Sequence, residues 1–221
     1  MPKRRESSAS PSAAPRPYGG ESHAERVAAR RERLLEAGLE LIGTEGRSAA
    51  TVRAVCATSG LNQRYYYESF RDAEDLLTQV YQLQIARLEA AILDSVQPGM
   101  ALSQQVRHAA DAYFSTVRAD PRLGRVVLFE VLGVSPEVDA LHRAGSQRFE
   151  GVVRALITHG LPRRSVPGLD LAVLSQAVVG AMVTVAGNWL LSGFDSKQAA
   201  IVESVGFVFD AVLEKLSRVT L

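Results

Sequence analysis

At 221 residues with 47% apolar side chains, the chain can bury one large core or two smaller ones, and a folded soluble protein is expected. Its 25 Lys and Arg nearly balance 24 Asp and Glu, yet residues 1–70 hold 11 basic against 8 acidic groups, a small positive excess that permits a nucleic-acid partner without compelling one. A lone cysteine, Cys56, excludes an intrachain disulfide, and the missing apolar run of a secretory signal makes the cytoplasm the expected compartment.

Residues 1–21, rich in Pro, Ser, Gly and Ala, read as a mobile tail, with a basic tip at Lys3, Arg4 and Arg5 that suits phosphate contacts or plain solvation. Ser22 followed by Glu25 is a capping-box pattern, so a helix should start there. Val27, Leu34, Leu35, Leu41 and Ile42 give it one apolar face, Arg and Glu fill the other, and Gly46 suits its end. A short second helix follows, with Val52, Val55 and Cys56 on one face and a turn at Ser59-Gly60. Asn62 can cap a third short helix over QRYYYES, and Phe70 closes a unit spanning residues 22–71.

Residues 72–221 read as a second helical domain. Asp72 can cap a long fourth helix reaching about Val96, whose Leu76, Leu77, Val80, Leu83, Ile85, Leu88 and Ile92 occupy more than one stripe. Further helices are predicted over about 100–119, 122–132, 137–159, 170–192 and 196–218, the last with Asp195 and Gln198 as a capping pattern. No sustained period-two stretch argues for a strand, so the fold class is all-α. Leu171 to Phe194 carries no charge and is long enough to span a bilayer. Ser175, Gln176, Thr184 and Asn188 within it, and acids rather than bases at its borders, favour a buried soluble helix, covered at a bundle centre or between two subunits.

Tyr65, Tyr66 and Tyr67 point in three directions, because neighbours on a helix are about 100° apart. Tyr66, four residues before Phe70, is the inward candidate, leaving Gln63, Arg64, Tyr65 and Tyr67 on a hydrogen-bonding surface beside Asn62. Arg can bond guanine edges, Gln and Asn adenine or phosphate, and tyrosine hydroxyls phosphate oxygens, so the group suits a duplex groove. A second short helix after a Gly-containing turn is the position of a recognition helix. The competing reading is an aromatic core cluster whose hydroxyls reach water.

The stretch RRERLLEAGLELIGTEG to ATVRAVCATSGLNQRYYYESFRDAEDLL, within roughly residues 26–80, resembles the DNA-binding region of the TetR family of one-component transcriptional regulators in the spacing of Thr51, Gly60, Tyr67, Phe70 and Leu76-Leu77. The resemblance implies a helix-turn-helix domain joined by a long helix to a helical ligand-binding and dimerisation domain. It implies that Thr51 and Tyr67 touch phosphates, that Arg53 reaches a base, that Gln63, Arg64 and Tyr65 lie in the major groove, and that Leu61, Tyr66 and Phe70 pack. Arg64, Tyr65, Tyr66, Ala73 and Arg47 depart from common family residues, which bears on the target sequence. It also implies a homodimer through the last two helices, an inverted-repeat operator of double-stranded DNA, and repression relieved by a small-molecule effector that tilts the fourth helix. Val205, Phe207, Val208, Phe209, Val212 and Leu216 independently give the final helix a wide apolar face. Effector-pocket candidates between the middle helices are Tyr113, Phe114, Phe129, His142, Phe149, Met182 and Trp189, since pockets combine aromatic walls with few polar groups.

An enzyme is disfavoured: His23, His108, His142, His159 and Cys56 stand in no metal or nucleophile spacing, so no catalytic residue, metal or cofactor is expected. The remaining alternative is a helical ligand-binding or protein-interaction module without specific DNA binding.

Overall fold

The computed structural model describes residues 22–160 and 168–219, and the described residues form nine α-helices with no strand. The N-terminal tail, Pro162 and the His159 side chain lie outside the described residues. Helix α1 (His23–Glu45) starts on a reciprocal cap, in which Glu25 N–H donates to Ser22 Oγ and Ser22 N–H donates to the Glu25 carboxylate. A single 3₁₀ turn, Arg47–Ala49, leads into α2 (Val52–Ser59), and α3 (Gln63–Ser69) follows after Gly60. Asp72 caps the long α4 (Ala73–Ser95) through the N–H of Asp75.

Beyond α4 come α5 (Leu102–Ala119), α6 (Pro121–Arg125), α7 (Pro136–Gly160), α8 (Leu171–Leu191) and α9 (Gln198–Val219). Two expectations need correction. The stretch 122–132 is not one helix: α6 passes into a π-helical turn, Val126–Glu130, where three successive apolar residues, Val126, Val127 and Leu128, are all buried. Nor do Asp195 and Gln198 form a capping box. Asp195 accepts from the hydroxyls of Ser192 and Ser196, while the Gln198 amide donates at 2.7 Å to both Asp111 and Ser115 on α5.

One continuous core runs from the first three helices into the rest of the molecule, from Leu34, Val55 and Tyr66 through Leu76 and Val80 to Phe114, Val117 and Leu123. A smaller cluster, Val106, Ile157, Val178, Phe209 and Leu216, sits apart from it. The joint between α1 and α6 is tight enough to require a glycine, since a β-carbon on Gly43 would lie 2.3 Å from Cβ of Arg122. Around it, Arg122 bonds Glu36 and Glu40 on α1 and, bidentately, Asp120, which also accepts from Arg87 of α4. Burial opposes charge on Asp120, yet the bonds from Arg122 and Arg87 outweigh it and hold the carboxyl below its usual range.

Helix α8 is the one described helix long and apolar enough to cross a bilayer, and only 17% of its most apolar window is buried. A place at the centre of the subunit's own bundle is therefore ruled out. Ser175 inside it is buried, with its hydroxyl satisfied by the Leu171 carbonyl, whereas Val173, Val183 and Leu191 stand exposed.

Candidate nucleic-acid interface and inner cavity

The geometry of α2 and α3 follows from local hydrogen bonding. Thr51 Oγ1 accepts from the N–H of Ala54 and starts α2, and Gly60, in the left-handed region at φ 67°, ends it with its N–H turned back on α2 carbonyls. Asn62 Oδ1 then accepts from the N–H of Tyr65 to start α3. Both caps use acceptor capacity only, so the Thr51 hydroxyl hydrogen and the Asn62 amide hydrogens remain available.

The three tyrosines separate by depth. Tyr66 is fully buried, its ring 5.5 Å from Phe70 and its hydroxyl donating to the Asp72 carbonyl at 3.0 Å; burial first, then nearby Asp72, pushes the phenol up to about 12. Tyr67 is 59% exposed and meets Tyr66 edge to face. Tyr65 is half-buried with the Arg30 guanidinium stacked 4.4 Å from its ring centroid, so one face of the ring is covered. Thr51, Arg53, Asn62, Gln63 and Arg64 are all exposed. Arg64 bonds Glu68 one turn along at 3.2 Å, but its side chain is 83% exposed, and such surface pairs contribute only about 0.3–0.5 kcal/mol. Exchanging Glu68 for another acceptor therefore costs Arg64 little.

Arginines on α1 have roles that the sequence pattern of a solvated face did not reveal. Besides Arg30 on Tyr65, Arg31 lies 5.6 Å from the Phe70 ring centroid and Arg33 bonds the Ser59 carbonyl at the end of α2. Arg47 ties the turn after α1 to the π-helical turn: its N–H donates to Glu130, and its guanidinium to the carbonyls of Glu130 and Leu132. Arg125 adds bonds to Glu130 and to the Thr44 carbonyl.

Between α4, α5, α7 and α8 lies a cavity of about 160 Å³. Four of the seven pocket candidates line it: Tyr113, His142, Phe149 and Met182. Phe114 and Trp189 do not, because they pack edge to face in the core, where the Trp189 indole N–H bonds the Ser196 carbonyl. Phe129 does not either; its ring rests on Gly187 of α8. Tyr81 and Ser146 also face the cavity and were missed, although each lies on a helical stripe, Tyr81-Ile85-Leu88-Ile92 on α4 and His142-Ser146-Phe149 on α7. Burial lowers the His142 pKa more than neighbouring Asp139 raises it, so the ring is neutral at pH 7. Among the described residues, no group of three or more His, Cys, Asp or Glu could hold a metal.

No family model and no curated protein matches the chain. Solved structures do. FadR, a fatty acid degradation regulator of Bacillus halodurans, superposes with a TM-score of 0.72 at 18% identity over 81% of this chain and 94% of its own. FadR of Bacillus subtilis, solved in complex with stearoyl-CoA, gives 0.71 at 16% identity over 80% and 96%. A TetR-like transcriptional regulator from Rhodococcus sp. RHA1 gives 0.67 at 18% identity over 81% and 94%. A helix-turn-helix unit, a long α4 and a helical domain behind it are thus arranged in this chain as in those regulators, and its fold is that of TetR-type transcriptional regulators.

Proposed function

We propose that the protein is a cytoplasmic, homodimeric transcriptional repressor that binds an inverted-repeat operator through α3 and leaves it when a small molecule fills the inner cavity. The carrying observation is the sorting of α3: its aromatic anchor Tyr66 is sealed in the core while Gln63, Arg64 and Tyr67 stand exposed beside Thr51, Arg53 and Asn62. An exposed group of donors on a short, well-anchored helix suits phosphate oxygens and base edges. Thr51 and Tyr67 serve phosphates, Arg53 and Gln63 reach the groove, Arg64 reads a guanine edge, and Tyr65, backed by Arg30, presents its hydroxyl.

Dimerisation rests on the outward apolar faces of α8 and α9, where Leu191 and Phe207 are each 72% exposed. A two-fold axis between those helices would set two recognition helices about one duplex turn apart, roughly 34 Å. Release has two physical routes in the fold. Helix α4 lines the cavity with Tyr81 and Ile85 and packs Leu76 and Val80 against α1 at Gly38. The π-helical turn lines it with Val127 and Leu128 and ends at Glu130, which holds Arg47. The complex of Bacillus subtilis FadR with stearoyl-CoA supports an effector carrying a long apolar chain.

Selection of bound fragments from genomic DNA by the full-length protein tests this reading. It predicts an enriched inverted repeat whose affinity falls steeply with salt, by about one log unit per log unit of salt for each phosphate neutralised. No preference for any duplex over random sequence would refute it and favour a protein-interaction module.

A further inference from the structure

The polar groups of the cavity are few, neutral and unused. Tyr81, Tyr113, His142 and Ser146 line it, and none of their side chains makes a hydrogen bond among the described residues, although Tyr81 is only 2% exposed and Tyr113 only 7%. The sealed side-chain atom left without a partner among the described residues is Gln84 Oε1, so these hydroxyls instead face open space where water or a ligand supplies the bond. Three of them sit together. The Tyr81 hydroxyl would lie 2.8 Å from a β-carbon on Gly145, and its ring centroid is 6.2 Å from that of His142, one turn before Ser146.

The rest of the wall is hydrocarbon, and it extends along α4 from Tyr81 to Ile92, about 16 Å at the rise of an α-helix. Among the described residues, no Lys, Arg, Asp or Glu lines it. Charges flank its polar end outside the wall: Arg148, paired with Glu89 at 2.8 Å, near Tyr81, and Asp139 and Arg143 near His142. Val152 and Val183, which line the cavity and are 50% and 40% exposed, mark its mouth between α7 and α8.

We infer that the cavity binds an uncharged, mainly hydrocarbon molecule of elongated shape whose single hydrogen-bonding oxygen, a hydroxyl or carbonyl, is taken by the Tyr81, His142 and Ser146 group. This rests on the reading of the cavity as the effector site and narrows it. A free carboxylate or an ammonium would leave water with no counter-charge in the wall, whereas an alcohol or ester both donates or accepts where the protein has groups to spare and fills the apolar remainder. Burial supports the neutrality of the site, since it drives the Tyr113 phenol upward and the His142 imidazole downward in pKa.

The test is calorimetric titration of the full-length protein at pH 7 with a chain-matched set: decanol, methyl decanoate, decanoate, decylamine and decane. Decanol or methyl decanoate should bind about tenfold more tightly than decane, through the polar bonds, and roughly a hundredfold more tightly than decanoate or decylamine. Tyr81→Phe and Ser146→Ala should each lower the decanol affinity by about fivefold and leave decane unchanged, so decane binding reports an intact cavity in the variants. Decanoate or decylamine binding as tightly as decanol, equal binding of decanol and decane, or no binding by any member would each overturn the inference. Release of a selected DNA fragment is read separately: correct ranking without release removes the effector reading and leaves the cavity chemistry standing, while release by decanoate alone removes the chemistry and leaves the effector reading.

Discussion

The outer face of α3 and the outer faces of α8 and α9 are both open to solvent, but the first offers hydrogen-bond donors over a sealed aromatic core and the second offers bare aliphatic and aromatic carbon. Gln63, Arg64 and Tyr67 gain nothing by burial without polar partners, so their complement is a surface dense in acceptors, such as a nucleic-acid groove. Val173, Leu191, Phe207 and Val208 would gain about 25 cal/mol per Å² when covered and need no specific partner chemistry, which a second copy of the same face could supply. Exposure alone is therefore uninformative; what is exposed separates the proposed nucleic-acid face from the proposed subunit face. The joint between them is the Arg122 cluster on Gly43, where α1 meets α6.

The largest effect is expected at the apolar face. Phe207→Glu should weaken the dimer by about 3 kcal/mol or more, because a carboxylate would be taken out of water against carbon. Sedimentation at micromolar concentration should then give the 23.9 kDa subunit instead of twice that mass, and a variant that stays dimeric would dissolve the contrast drawn above. At the joint, Asp120→Asn should cost about 2 kcal/mol and lower Tm by about 5 °C, since Arg122 and Arg87 lose a buried anionic acceptor. The sign follows from the depressed Asp120 pKa: its contribution is complete above the unfolded value near 4 and is lost as pH falls through the folded one, so the variant should show a weaker acid dependence in thermal melts.

Much of this was legible in the sequence where the determinant is local. The caps by Ser22, Asn62 and Asp72 each join residues three apart, and Tyr66 to Phe70 is one helical turn. The start of α9 was misread because Gln198 is claimed by Asp111 and Ser115, more than eighty residues away. Arg30, Arg31 and Arg33 looked like solvated charge because their partners, rings and a carbonyl, carry no charge pattern to match. The cavity shows the limit most clearly. Periodicity identifies the inward side of α5 and α8, but Phe114 and Trp189 are closed into the core while Met182 and Tyr113, although edge to face with Phe114, line the cavity, and only the packing of the helices decides which.

Two smaller effects sharpen the account of α3. Arg64→Ala should remove about 1.5 kcal/mol of discrimination at one base pair of each half-site while barely changing affinity for random DNA, whereas Tyr67→Phe should weaken all sequences alike by about 1 kcal/mol. Salt-matched shift assays on a selected fragment and its scrambled counterpart separate the two. The smallest effect belongs to Arg30→Gln, which removes the cation stacked on Tyr65 and should lower stability by about 0.5 kcal/mol, read as a shift of the thermal midpoint.

Methylation protection of guanine N7 on a selected fragment tests the central claim most directly, because it reports occupancy of the major groove atom by atom. The account predicts two protected guanines related by an inverted repeat and about one helical turn apart, with that protection lost in Arg64→Ala while the protein remains bound. Guanines that stay reactive under saturating wild-type protein, or protection unchanged by Arg64→Ala, would contradict the placement of α3 in the groove.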